Sequence, residues 1–485
     1  MEARFDNSYA RDLDGFYARW SPAKVPAPAL VYFNAALAEE LGLAGLATDA
    51  AAVFSGNRVP EGADPVAQAY AGHQFGGFNP SLGDGRALLL GEVIDAAGRR
   101  RDVAFKGSGR TPFSRGGDGK AALGPVLREV LLGEAMHGLG IPTTRALAAV
   151  TTGEAVIRER RLPGAVLTRV AASHLRVGTF QFFAARGEGD RVARLLDYAI
   201  ARHDPALVGA PDRALRWLDA VIERQTALIA QWMHVGFIHG VMNTDNMTIS
   251  GETIDFGPCA FVEAYDPDAA FSSIDHAGRY AYSNQPTIAG WNLARLAETV
   301  LDLIDPDPDR AVARATELLR TVGPRYEAHW LRGARAKLGL VSEAAGDAEL
   351  AAAFLDLLAA HAVDFTLAWR RLADAAAGAA APLRALFRRP EDVDGWLARW
   401  ARRVADEPGS PADRAAAMRA VSPVTIARNH RVEEALAAAA TGDEAPFRTL
   451  LAALASPFEE RAAWAHLAEP APREVTACYQ TFCGT

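Results

Sequence analysis

A chain of 485 residues has room for two to four domains or lobes at about 150 residues each. Half of the residues are hydrophobic, 23% are charged, and 42 Gly and 27 Pro are dispersed along the chain, a composition that speaks for folded globular structure and against disorder. The net charge of −8 argues against a general nucleic-acid binder, which needs surplus Lys and Arg to displace counterions from phosphates.

The first residues, Met1 to Asn7, form neither an export signal nor an Arg-rich presequence, so a cytoplasmic location is expected. No apolar run approaches the roughly 18 to 20 residues needed to cross a bilayer; Ala351 to Val363 is interrupted by Asp356 and His361, and no membrane contact is expected. After a Pro-rich entry, Phe33 to Leu43 reads as a helix, and a glycine-rich stretch follows, Gly72 to Gly77 and on to Gly83-Asp84-Gly85-Arg86. Ala87 to Ile94 reads as a strand, Asp95 to Gly98 as its turn, and Val103 to Lys106 as the next strand. Across a Gly/Arg-rich loop lies a predicted helix, Ala121 to Leu139, ended by Gly140 and Pro142. Arg191 to Gly236 has helical spacing; Met247 to Asp255 reads as strand, tight turn and strand. Beyond Ala270 the chain is Ala-, Leu- and Arg-rich with helical periodicity, cut by prolines into several helices.

The chemistry resides in an ordered set of polar residues. A strand ending in Lys106, a helix carrying Glu129 (with Glu134 the second choice), a distal polar loop and Asp255-Phe256-Gly257 follow the order of parts in a protein kinase. His239-Gly240-Val241-Met242-Asn243-Thr244-Asp245-Asn246 fits the kinase frame His-Arg-Asp-x-x-x-x-Asn at its first and last positions, which places Asn246 and Asp255 to hold Mg²⁺ or Mn²⁺ against nucleotide phosphates. Val241 stands where that frame has its catalytic aspartate and cannot accept a proton. Asp245 is the nearby carboxylate that could act as general base, or it caps the loop. Arg86, Arg169 and Arg176 add guanidinium groups whose planar forks suit phosphate, although each alone is more often a salt-bridge residue. These parts imply an α+β, protein-kinase-like two-lobed fold. An N-terminal extension (1–70) precedes an N-lobe of antiparallel sheet plus helix (71–180). A mainly helical C-lobe (181–330) and a helical C-terminal extension (331–485) follow.

Asn7-Ser8-Tyr9-Ala10, Gly72-His73-Gln74-Phe75-Gly76, Lys106 to Arg115, Gly140 to Leu147, His239 to Asn246, Ile254 to Pro258 and Ile426 to His430 together resemble the selenoprotein O (SelO, YdiU) family along nearly the whole chain. That resemblance implies a protein adenylyltransferase that moves AMP from ATP to Ser, Thr or Tyr hydroxyls of other proteins, with ATP bound in an inverted orientation. By the same resemblance Gly83, Gly85, Arg86, Asp118 and Gly119 line the nucleotide site, and Lys106, Arg169 and Arg176 take the γ-phosphate end. Glu129 orients Lys106, Asn246 and Asp255 hold the metal, and Asp245 is the base. It also implies a regulatory disulfide between Cys259 and Cys483, near the end of the chain. UTP as donor, a kinase-type phosphotransferase and a silent ATP-binding scaffold stand as alternatives.

Overall fold

Residues 4–477 and 479–482 are described in the computed structural model. Helix α1 (Ser8–Asp12) is followed by strands β1 (Tyr17–Arg19) and β2 (Ala29–Phe33), helices α2 (Ala35–Glu40) and α3 (Ala50–Phe54), and strand β3 (Val66–Gln68). A small hairpin, β4 (Gly72–Gln74) and β5 (Gly77–Asn79), precedes the paired strands β6 (Ala87–Ile94) and β7 (Arg100–Lys106). The β6–β7 turn closes because Asp95 Oδ1 accepts from Ala97 N at 2.9 Å and Arg99 N at 2.8 Å while Gly98 takes a positive φ of 75°. Next come the short β8 (Ala121–Ala122), helix α4 (Leu123–Gly138), and the long antiparallel strands β9 (Arg145–Ile157) and β10 (Arg161–Ala171).

These strands form an antiparallel sheet in the order β1-β3-β6-β7-β10-β9-β2, with β8 added against β10. One face holds Phe54, Leu90, Val103, Phe105, Val150, Val166 and Val170 in a closed apolar cluster. Alternate residues of β10 point the other way, so Ala165 and Leu167 pack with Leu127, Val130 and Leu131 of α4. A register shift at Thr168/Arg169 interrupts the β9–β10 ladder, while Arg169 stays paired with Ala104 of β7.

The remainder is mainly helical: α5 (Val177–Ala184), α6 (Gly189–His203), α7 (Arg213–Val235), the two-residue strands β11 (Phe237–Ile238) and β12 (Ala260–Phe261), α8 (Gln285–Thr299), and further helices from Leu301 to Ala477. The molecule is thus mixed α+β, with an N-terminal antiparallel sheet and a helical C-terminal half. Among the described residues no helix is long and apolar enough to cross a membrane.

Two expectations fail locally. The helix foreseen over Phe33 to Leu43 is shorter: Phe33 ends β2, and Asn34 caps α2 by accepting from Leu37 N at 3.0 Å. Met247 to Asp255 does not form a local strand–turn–strand hairpin, because Thr248 bridges to Arg176 and Thr253 to Thr143, each partner lying far away in sequence. Those two bridges instead tie the loop to the ends of the sheet.

Candidate active site

The centre of the site is Asp255, which holds a left-handed φ of 62°. Its Oδ1 accepts from Lys106 Nζ at 2.7 Å and Arg169 Nη1 at 2.7 Å, and its Oδ2 from Arg176 Nη1 at 2.8 Å. Lys106 also donates to Glu129 Oε1 at 2.6 Å, and the same oxygen receives Phe256 N at 3.2 Å. Although burial opposes ionisation, Lys106, Arg169 and Arg176 hold the Asp255 carboxyl well below the usual carboxylate range.

Each cation reaches this point from a separate element. Lys106 is the last residue of β7 and pairs across the sheet with Leu167 of β10; Arg169 lies two residues further along β10, on the same face. Glu129 projects from α4, which packs on that face. Arg176 precedes α5 and is clamped there. Its N–H donates to Thr179 Oγ1 at 3.1 Å, it bridges to Thr248, and its guanidinium lies over the Tyr70 ring at 4.9 Å. Arg169 and Arg176 are 3% and 4% exposed, so neither is a solvated surface charge.

Arg176 Nη1 also donates to the backbone carbonyl of Asp245, joining the two acidic residues through one guanidinium. The Asp245 carboxyl is buried: Oδ2 takes Gln74 Nε2 at 3.3 Å, and Oδ1 has no partner among the described residues. Burial pushes its pKa up to about 6, with Arg176 pulling the other way. A carboxylate so tuned, with one oxygen unengaged, can accept a proton near neutral pH. Asn246 is fixed by donating from Nδ2 to Val241 O at 3.0 Å. His239 secures the loop from behind, donating from Nε2 to Ile254 O at 2.8 Å and accepting from Val241 N at 3.3 Å.

The glycine segments around 83–86 and 107–119 lie against each other. An added Cβ at Gly85 would stand 2.9 Å from Phe113 O, Thr111 Oγ1 donates to Asp84 O at 2.6 Å, and Arg86 O accepts from Gly107 N at 2.7 Å. Gly83 and Gly119 both have positive φ, 66° and 70°. Asp118 does not join the Lys106 cluster through its carboxylate, which pairs with Arg158 at 2.8 Å and caps Lys120 N at 2.9 Å. Among the described residues no three His, Cys, Asp or Glu side chains gather as a metal cage. Asn246 and Asp255 supply one amide and one carboxylate. That set suits Mg²⁺ or Mn²⁺, which take one or two carboxylates together with phosphate and water oxygens. Cys259 is buried, and burial pushes its thiol up to about 12. Cys483, its expected partner, lies outside the described residues, as does Cys478.

Several contributors were not marked as site residues from sequence. Gln74 reaches Asp245 from the β4–β5 hairpin, which docks on the 239–246 loop through His73 N to Thr244 Oγ1 at 2.7 Å and Phe75 N to Asn243 Oδ1 at 3.1 Å. His174 contacts Arg169 Nε at 3.3 Å, and Tyr70 lies under Arg176. The glycine-rich run beginning at Gly72 was the one available signal for the hairpin; nothing local marked its target.

Comparison with known proteins places this geometry in context. The family described as Protein adenylyltransferase SelO matches residues 1–455. A protein nucleotidyltransferase YdiU of Cereibacter sphaeroides is 64% identical over 488 residues, covering 100% of both chains. A protein nucleotidyltransferase YdiU of Rhizobium leguminosarum bv. trifolii is 59% identical over 486 residues, covering 99% of this chain and 97% of the relative.

Proposed function

The chain belongs to the SelO family of protein adenylyltransferases and is a protein nucleotidyltransferase, and from that premise we propose how its residues divide the work of AMP transfer. The observation that carries the reading is the convergence of Lys106, Arg169 and Arg176 on the single carboxylate of Asp255, with Asp245 joined to the same centre through Arg176. Lys106, Arg169 and Arg176 bring one ammonium and two guanidinium groups to a single point, a concentration of charged donors that suits a polyphosphate. The fold is read as a kinase-like pair of lobes meeting at this centre, with residues 331–485 as a helical extension; residues 1–70, expected as a separate extension, instead supply β1, β2 and β3 to the N-terminal sheet.

ATP is the donor, and its β- and γ-phosphates lie on Lys106, Arg169 and Arg176, with Glu129 fixing the lysine. The α-phosphate then faces Asp245. Gly83, Gly85, Arg86, Asp118 and Gly119 border the nucleotide, their glycines allowing the close approach seen between the two loops. Asn246 and Asp255 would hold Mg²⁺ or Mn²⁺, which would neutralise phosphate charge when bound. Asp245 takes the proton from a Ser, Thr or Tyr hydroxyl of the acceptor protein. The hydroxyl oxygen forms its bond to the α-phosphorus as the α–β phosphoanhydride breaks, and pyrophosphate leaves. Val241 cannot serve as base, which disfavours γ-phosphoryl transfer by the ordinary kinase route.

Incubation of the reduced protein with Mg²⁺ or Mn²⁺ and ATP labelled at the α- or the γ-phosphate, beside an Asp255→Ala control of checked fold, tests the proposal. Label from the α-position alone, absent in the control, is expected on protein. Label from the γ-position would restore the kinase reading, and neither label despite ATP binding would favour a scaffold.

A further inference from the structure

His174 is 4% exposed and lies between β10 and α5, where it takes part in no acid–base step assigned above. Its backbone N–H donates to Asp102 Oδ2 at 2.8 Å, its ring Nδ1 lies 2.9 Å from the same oxygen, and its Nε2 lies 3.3 Å from Arg169 Nε. An arginine Nε–H can only donate, so Nε2 must accept. The proton therefore sits on Nδ1 and is donated to Asp102, leaving a neutral ring of fixed tautomer. Asp102 is itself immobilised: its other oxygen pairs with the buried Arg202, whose second amino group pairs with Glu92. Both ends of this chain are held, one by the sheet and the other by Asp255.

The consequence falls on Arg169. Its Nη1 donates to Asp255 Oδ1 at 2.7 Å, and its Nη2 makes no hydrogen bond among the described residues. A long arginine side chain held at one nitrogen alone could pivot about that bond. A second contact at Nε fixes the plane of the fork and so fixes where Nη2 points. We infer that His174 is a positioning residue of nucleotide transfer, its Nε2 lone pair locking the guanidinium plane of Arg169 so that the open Nη2 edge meets the phosphate end of the nucleotide. The inference rests on the reading of Arg169 as a phosphate ligand. The charged groups facing the ring are Asp102, Arg169 and Arg176. Burial lowers the His174 pKa to about 4, with Asp102 opposing and Arg169 and Arg176 assisting, so the accepting form prevails at neutral pH.

Three variants and one reference separate positioning from bulk support. Calorimetry in Mg²⁺ measures binding of α,β-methylene-ATP, which resists cleavage at the α–β bond, and of AMP, which lacks the phosphates Arg169 would hold. His174→Phe keeps the bulk without an acceptor. It is expected to weaken α,β-methylene-ATP about tenfold, the scale of one lost charge-assisted hydrogen bond, and to leave AMP within about twofold. His174→Gln places a carbonyl oxygen near the Nε2 position and is expected to bind within about threefold of wild type. Equal losses for both ligands would assign His174 a structural role and overturn the inference. Should His174→Phe not fold, His174→Asn takes its place, since it reaches Asp102 but falls short of Arg169; indistinguishable binding by the Asn and Gln variants would overturn the inference. Arg169→Ala is the reference. If it weakens α,β-methylene-ATP and His174→Phe does not, positioning by His174 falls alone. If Arg169→Ala leaves that affinity unchanged, the phosphate reading of Arg169 falls with it.

Discussion

Adding one methyl group at Gly72 tests whether the β4–β5 hairpin sets the position of Asp245. A Cβ there would stand 2.5 Å from Asp245 Oδ1 and 2.9 Å from Asp245 Cβ, against the ordinary contact of about 3.5 to 4.0 Å, so something must move by about 1 Å. The hairpin is poorly placed to yield. It is held through His73 N to Thr244 Oγ1 at 2.7 Å, Phe75 N to Asn243 Oδ1 at 3.1 Å and, just before it, Ala71 N to Gly178 O at 2.9 Å. Rotation of the Asp245 carboxyl, held through Oδ2 by Gln74 alone, relieves the contact with Oδ1, whereas the contact with Cβ is relieved only by a shift of the Asp245 backbone, and both displace the acid. Overpacking of this kind costs about 1 to 3 kcal/mol of stability, whereas a 1 Å misplacement of a catalytic group costs on the order of 100-fold in rate. Gly72→Ala is therefore expected to stay folded, to bind ATP within about threefold of wild type, and to transfer α-label about 100-fold more slowly. Gly77→Ala on the same hairpin is the control, since its added Cβ finds nothing nearer than Gln74 O at 3.5 Å; its rate should stay within about twofold. Transfer by Gly72→Ala within about threefold of wild type, at an unchanged unfolding midpoint, would refute both the base assignment and the rigidity of the hairpin.

Asp255→Asn leaves Lys106, Arg169 and Arg176 facing Glu129 with less counter-charge, and should cost about 3 to 5 kcal/mol in chemical denaturation. Pyrophosphate should restore more stability to this variant than it adds to wild type; equal gains would show that Asp255 does not compete with the anion, and no gain in either would argue against an anion site. Glu252 is partly buried, and its desolvation raises the pKa from 4.5 to about 7 against the pull of Arg101 and the Ala172 N–H. Its contribution is thus fully present below pH 4.5 and is lost as the pH rises through 7, by at most about 1.4 kcal/mol for each tenfold change in proton affinity between the unfolded and folded chain. The melting temperature of Glu252→Gln should accordingly gain on wild type between pH 5 and 8, as read by thermal denaturation in matched buffers of about 0.1 M ionic strength. Lys337 is buried with its ammonium 5.4 Å from the Trp369 ring centroid, and burial lowers its pKa from 10.5 to about 7. The unfolded amine binds its proton below 10.5 while the folded one does not until about 7, so this contribution fades as the pH falls across that window. Lys337→Met should melt above wild type at pH 7, with the difference shrinking toward pH 10.

The parts of the fold that local pattern could reveal were those whose burial follows local periodicity. Ala87 to Ile94, Val103 to Lys106 and Leu123 to Gly138 carry their own apolar faces, and their positions agree with the sequence reading to within a few residues. The strands Arg145–Ile157 and Arg161–Ala171 were not foreseen. The first is rich in alanine, which prefers helix, and its strand state comes from pairing with Ala29–Phe33 on one side and Arg161–Ala171 on the other. The same cause undid the Met247 to Asp255 hairpin: Thr253 N donates to Pro142 O and its carbonyl accepts from Thr144 N, while Met247 O and Ile249 N, on either side of Thr248, pair with Val177 N and Leu175 O. Within the site, Lys106, Glu129 and Asp255 were legible because their order along the chain is characteristic. Gln74 and His174 were not, since a contact between Gln74 and Asp245 across 171 residues leaves no local trace.

What the sequence presents as a defect, Val241 in place of an acid, has a physical counterpart four positions later. A carboxylate at 241 would follow directly on Gly240 and His239, in a turn whose backbone is already committed: Val241 N donates to His239 Nδ1, and Val241 O receives Asn246 Nδ2. Asp245 instead occupies a short helical turn, Thr244–Asn246, where its own carbonyl takes Arg176 and its side chain turns toward the β4–β5 hairpin. The acid is thereby coupled to the cation that also grips Asp255. In the proposed reaction one buried guanidinium therefore ties the loop that carries the acid to the carboxylate that gathers the cations, so that acceptor hydroxyl and departing pyrophosphate would be referred to the same few atoms.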